Sequence, residues 1–148
     1  MCIRDRRKED AILEQIREKT KVDLSQELIE QAERTVFMET EAQLKKQNTG
    51  LEEWLTKRKK SIEDFQKELK EQATRRLTLR FGVEALIEER KIEVTDDEMK
   101  TIIDGALRGV EPSKHAEVSN QYAKGTEGYE QLRWQRTVEK LMEQLIAQ

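Results

Sequence analysis

A chain of 148 residues, 40% of them charged and only 35% hydrophobic, has room for one ordinary domain but not for the large closed core of a sandwich or barrel. The 28 lysines and arginines against 31 aspartates and glutamates leave a net charge of −3, without the basic excess of a nucleic-acid binder, so no direct nucleic-acid partner is expected. One proline and six glycines leave little turn chemistry, which points to an all-α chain rich in surface; its apolar residues recur at helical spacing, and that argues against disorder.

Cys2 is the single cysteine, which excludes an internal disulfide and a cysteine metal site. No apolar run approaches the ~18 residues of a membrane helix, and MCIRDRRKED has no apolar core of a secretory signal. The default expectation is a cytoplasmic protein that does not enter a membrane. MCIRDR matches nothing helical that follows, and it is expected to be an assembly scar or the cut edge of a longer protein.

In chain order, Ala11, Ile12, Leu13 and Ile16 among charges predict a helix over 6–19 that ends near Thr20. KVDLS reads as a short extended piece with Asp23 or Ser25 as cap. A second helix is predicted over 26–47, with a face of Leu28 or Ile29, Ala32, Val36, Thr40 and Leu44, and with Phe37 and Met38 to one side. Asn48-Thr49-Gly50 is a stop and turn. A brief helix over 51–55 carries Trp54, and the basic run Lys57-Arg58-Lys59-Lys60 reads as a solvated link.

The stretch from Ser61 to Thr95 organises the rest. Ile62, Phe65, Leu69, Ala73, Leu77 and Phe81 fall at steps of three and four, the period of one helix face. Beyond Leu79 the set widens to Val83, Leu86 and Ile87. A narrow stripe touches one neighbour and a broad one several. The spacing thus predicts one helix over 61–89, roughly 45 Å long, which leaves a core and reaches outward at its start. Ser61 and Asp64 form a capping pair. The helices over 26–47 and 61–89 are expected to lie antiparallel as a hairpin arm.

IEVTDDE is a short extended link into a helix over 96–107 capped by Thr95 or Asp96, with Gly109 at its end. Pro112 opens a short helix to Tyr122. A loop is expected over 124–128, then a last helix over 129–146 with Leu132, Val138, Leu141, Leu145 and Ile146. The part over 96–146 forms a second helical layer.

A search for chemistry finds little. His115, the lone histidine, has no carboxylate or nucleophile pattern around it and reads as an exposed structural residue. Ser113, Ser119 and Cys2 lack a nucleophile motif. Asp96-Asp97-Glu98 complements a helix dipole, and no glycine-rich phosphate loop occurs. No cofactor or metal is expected. Binding is better supported. Phe37, Met38, Trp54, Leu55, Phe65, Tyr129 and Trp134 lie on elements with thin apolar support. Either they fill helix seams or they offer scattered apolar contacts on a polar frame. The second suits a guest without fixed shape, because apolar burial is non-directional and methionine adapts to varied partners.

Four stretches carry a family resemblance. Val22–Ile29 follows a VDLP-type helix start, Gly50–Leu55 a glycine turn with an LEEYL-like segment, Gln72–Ala85 a long helix, and Arg90–Met99 the pattern EKIEVTDEEL. KIEVTDDEM is the most specific of these. From about Glu9 to Gln148 the chain resembles the C-terminal domain of bacterial trigger factor, the ribosome-associated chaperone. Ser25 stands where the family usually has proline, Trp54 where tyrosine is common, and Ala32 near a usual glutamate.

The resemblance implies an elongated helical body with projecting arms that shelter unfolded or nascent polypeptide without ATP, in folding and export. Residues 1–21 would be a leader and linker helix and 22–148 the chaperone domain. The family's ribosome-binding and FKBP-like prolyl isomerase domains precede this region and are not visible here, so neither ribosome docking nor isomerase activity is carried over. For client contact the arms would offer Phe37, Met38, Leu44, Trp54, Leu55 and Phe65, and the body Tyr129 and Trp134. Two other readings stay open. One is a structural helical protein, a weak homodimer through the long helix. The other is the helical domain of a periplasmic parvulin-type chaperone, which needs a signal peptide.

Overall fold

The computed structural model describes residues 3–148; Met1 and Cys2 lie outside them. Among the described residues are seven α-helices and one single-turn 3-10 helix, and no strand. They are α1 (Ile3–Lys19), α2 (Gln26–Lys46), α3 (Leu51–Lys57), α4 (Ile62–Glu89), α5 (Asp96–Arg108), α6 (His115–Gln121) and α7 (Glu127–Ile146), with the 3-10 turn at Pro112–Lys114. The chain is all-α, as expected. Helix α1 takes in Ile3–Arg6, so the segment expected to stand outside the helices belongs to one from Ile3 onward. The chain forms two compact units. One is Ala11–Gly82; the other joins the described residues up to Asp10 to Val83–Gln148.

Three successive helices in this chain stop by one device. Asn48, Lys59 and Lys91 adopt left-handed backbone, with φ of 52°, 53° and 52°. In each case two amides turn back onto the last helical carbonyls. Thr49 N–H donates to Leu44 O and Asn48 N–H to Lys45 O, at 3.0 and 3.1 Å; Lys60 N–H donates to Leu55 O and Lys59 N–H to Thr56 O, at 3.0 and 3.1 Å; Ile92 N–H donates to Ile87 O and Lys91 N–H to Glu88 O, at 3.0 and 3.2 Å. These bonds satisfy carbonyls that a helix end leaves unpaired. The basic run over 57–60 is therefore the end of α3 and its left-handed stop, and α3 is longer than the predicted 51–55. Gly50 does not make the turn; it is the N-cap of α3.

Helix starts are equally local. Ser25 accepts from Leu28 N–H. Ser61 Oγ accepts from Asp64 N–H at 3.1 Å, and Asp64 accepts from Ser61 N–H at 3.3 Å. That amide is the main reason the Asp64 carboxyl lies below its usual range. Thr95 and Glu98 close the same reciprocal box on α5. Thr126 caps α7 by accepting from Tyr129 N–H at 3.2 Å, so the expected loop over 124–128 already ends at Thr126.

In the unit Ala11–Gly82 the buried side chains are Ile16, Val36, Leu44, Leu55, Phe65 and Ala73. Each large one stabilises the fold by about 1.5–3 kcal/mol if fully buried. Ile16 and Thr20 lie against Gly82. A Cβ at Gly82 would stand 2.8 Å from Ile16 Cγ2 and still closer to Thr20 Oγ1. Only glycine fits there. Ile62, the first residue of the predicted apolar stripe, does not join this core and stays 60% exposed, because it sits in the first turn of α4.

In the other unit Val94, Met99 and Tyr129 form one buried cluster with Ile102, Ile103 and Leu132 against it. Ile92, Val83, Leu141 and Met142 are buried as well. The link before α5 is thus a packed element whose Ile92 and Val94 point inward. Lys140 Nζ ties that link down from α7 by donating to Glu93 O at 2.6 Å. His115 is half-buried, not exposed. Its Nε2 lies 2.8 Å from Val110 O, a contact in which the ring nitrogen donates.

Candidate functional site

The eight side chains expected to meet a partner divide by burial. Leu44, Leu55, Phe65 and Tyr129 are buried, Phe37, Trp54 and Trp134 are half-buried, and Met38 is 67% exposed. Three of them are brought together. Phe37 of α2 and Trp54 of α3 both pack on Phe65 of α4, with ring centroids 6.3 and 5.7 Å apart and Trp54 edge-on. Edge-on and tilted pairs suit the ring quadrupoles and add about 0.5–1.5 kcal/mol beyond area. The Arg58 guanidinium covers the outer part of the indole, 4.3 Å from its centroid. The left-handed stop at Lys59 reverses the chain between Arg58 and α4, which lets Phe65 come under Trp54.

Tyr129 and Trp134 lie on α7 in the other unit. Tyr129 packs with Val94 and Met99, and its hydroxyl donates to Asp96 Oδ1 at 3.3 Å. Lys124 donates to Asp96 Oδ2 at 2.6 Å and is the first cause holding that carboxyl below its usual range, Tyr129 adding to it. Tyr129 is thus a core residue with a satisfied hydroxyl.

Large apolar side chains left in water are a different set. Among the described residues they are Val22, Leu28, Met38 and Ile62, all in Ala11–Gly82. Three of the four lie outside the expected contact residues. Their sequence signal was present: each stands at a helix start, in a link, or off the buried stripe.

The same unit carries a basic hollow of about 590 Å³, lined by Arg17 of α1 and by Lys67, Lys70, Glu71, Thr74 and Arg75 of α4. Glu14 pairs with Arg17 and lies 3.7 Å from Arg75. The bond from Arg17 is the main reason the Glu14 carboxyl is held below its usual range.

No group of three or more His, Cys, Asp or Glu residues placed to hold a metal occurs among the described residues. No described helix is long and apolar enough to cross a membrane. The Ala11–Gly82 unit thus combines helix seams with exposed large apolar side chains.

Residues 3–147 match the family model described as bacterial trigger factor protein C-terminus. The chain belongs to that family. No curated protein and no solved structure matches it. Family membership makes this a chaperone domain in general terms. The domain is the chaperone part of trigger factor and not its isomerase part, so the chain is not expected to be catalytic.

Proposed function

We propose that this chain holds unfolded or nascent polypeptides, without ATP, by reversible burial of their apolar segments against side chains of the Ala11–Gly82 unit. The observation that carries the reading is the exposure of Met38 and Ile62, 67% and 60%, in a chain whose charge content is 40%. Val22 and Leu28 extend the set. The half-buried Phe37 and Trp54 are further contacts, and Leu44, Leu55 and Phe65 are buried in the same unit. Tyr129 has a structural role, while Trp134 is a second contact on α7.

The physics favours weak, fast exchange. Apolar burial yields roughly 25 cal/mol per Å², and separate contacts of modest area are offset by the cost of ordering the client. The charged surroundings keep the loaded complex in solution. The compartment proposed is the cytoplasm, and a role in export follows from the same holding. A ribosome would be reached only through domains outside this chain.

The test is suppression of aggregation of a chemically unfolded client by the wild-type chain and by Met38→Ser with Ile62→Ser. The double variant should lose most of the suppression while far-UV helicity is unchanged. Equal suppression by both would reject these side chains as the contact surface. A mass that doubles with concentration and returns to monomer in the double variant would show that a second copy occupies them.

A further inference from the structure

We infer that the basic hollow on α4 is a second client contact, selective for acidic segments, which rests on the holding function proposed above. Lys67, Lys70, Glu71, Thr74 and Arg75 recur at helical steps and so form one face of α4. Together with Arg17 they border an open hollow of about 590 Å³.

The charge there is unbalanced. Four cations and one carboxylate line the hollow. Arg17 and Arg75 share the Glu14 carboxylate. The neighbouring Glu68 is taken by Lys60. Lys67 and Lys70 have no ion pair or hydrogen bond among the described residues, and Lys67 acts only through space on the Asp64 carboxylate, helping to hold it below its usual range. Lysine and arginine keep their heads in water while their alkyl stems form apolar walls. A guest for such a site carries carboxylates beside aliphatic groups, as an acidic peptide does. Among the described residues no aromatic side chain lines the hollow, so a stacked single-stranded nucleic acid lacks its platform. The hollow would complement the exposed apolar residues by holding the acidic stretches that those residues cannot take.

The experiment is fluorescence anisotropy with a short labelled peptide in which leucines alternate with glutamate pairs, against the same peptide with glutamines. Wild type should bind the glutamate peptide roughly fivefold more tightly at low salt, the scale of two exposed ion pairs. K67Q with K70Q should remove that preference and leave the glutamine peptide unaffected, with helicity intact by circular dichroism. Raising the salt to about 0.5 M should also erase it. Equal binding of the two peptides by wild type, or a preference that survives in the double variant, overturns the inference. So does displacement of the glutamate peptide by an oligonucleotide at lower concentration than by unlabelled peptide. Suppression of aggregation of a neutral client is measured alongside and reports on the holding function alone.

Discussion

Lys140 donates to both carboxylate oxygens of Glu98, at 3.0 and 3.1 Å, from 42 residues further along the chain. The same carboxylate accepts from Thr95 N–H at 2.9 Å. One side chain therefore closes the start of α5 and fastens α7 to it. The Thr95 amide first, then Lys140, holds the Glu98 carboxyl below its ordinary value of 4.5. A carboxyl lowered in the folded state contributes stability that is complete above its unfolded value and is lost as pH falls through the folded one. Asp96 behaves alike from its ordinary 3.8, through Lys124 and Tyr129. Urea midpoints should thus fall as pH drops below about 4.5, and Glu98→Gln should flatten that slope. An unchanged slope in the variant would show that the contact carries no pH dependence.

Two glycines in helices should respond oppositely to alanine. At Gly82 the added methyl would meet Ile16 and Thr20, and overpacking of this kind costs about 1–3 kcal/mol. At Gly105 nothing lies within 4 Å, and alanine should gain about 0.5–1 kcal/mol from helix propensity. Denaturant unfolding of the two single variants checks the sign of each.

Glycine should help where the helices stop. Lys59 and Lys91 hold φ of 53° and 52°, a conformation that costs a side-chain-bearing residue about 1–2 kcal/mol. Lys59→Gly and Lys91→Gly should each raise stability by roughly 0.5–1 kcal/mol once the added freedom of the unfolded chain is counted. Melting temperatures of the single variants decide this, and a fall in both would mean that the lysine side chains contribute more than their backbone costs.

Much of this was legible in the chain because it is local. Ser61 with Asp64, and Thr95 with Glu98, are caps written within four residues, and the apolar period drew α4 to within one residue of its start. Local signals also misled. The glycines at 125 and 128 suggested a loop, although Thr126 followed by Glu127 is itself a helix start. Burial was the least legible property. Phe37, Trp54 and Phe65 meet only because three helices and a left-handed turn bring them to one place. Nothing in the spacing of Leu55 distinguishes it from Met38. His115 became half-buried through a carbonyl five residues back, a contact that depends on the 3-10 turn between them.

Stability and holding should separate on that line. Leu55→Ala and Phe65→Ala remove buried side chains and should each cost about 2–5 kcal/mol. Met38→Ala lies on the surface and should stay within about 0.5 kcal/mol of wild type. Chemical denaturation of the three variants checks the ranking; a large loss for Met38→Ala would mean that it packs in solution.

The chain has two tryptophans, and they fall one in each unit: Trp54 within Ala11–Gly82 and Trp134 within Val83–Gln148. Each indole is a built-in lamp for its own half. Replacing either by phenylalanine leaves the emission of the other to follow, so the order in which the two halves melt, and which of them dims when a guest arrives, becomes visible without adding a dye.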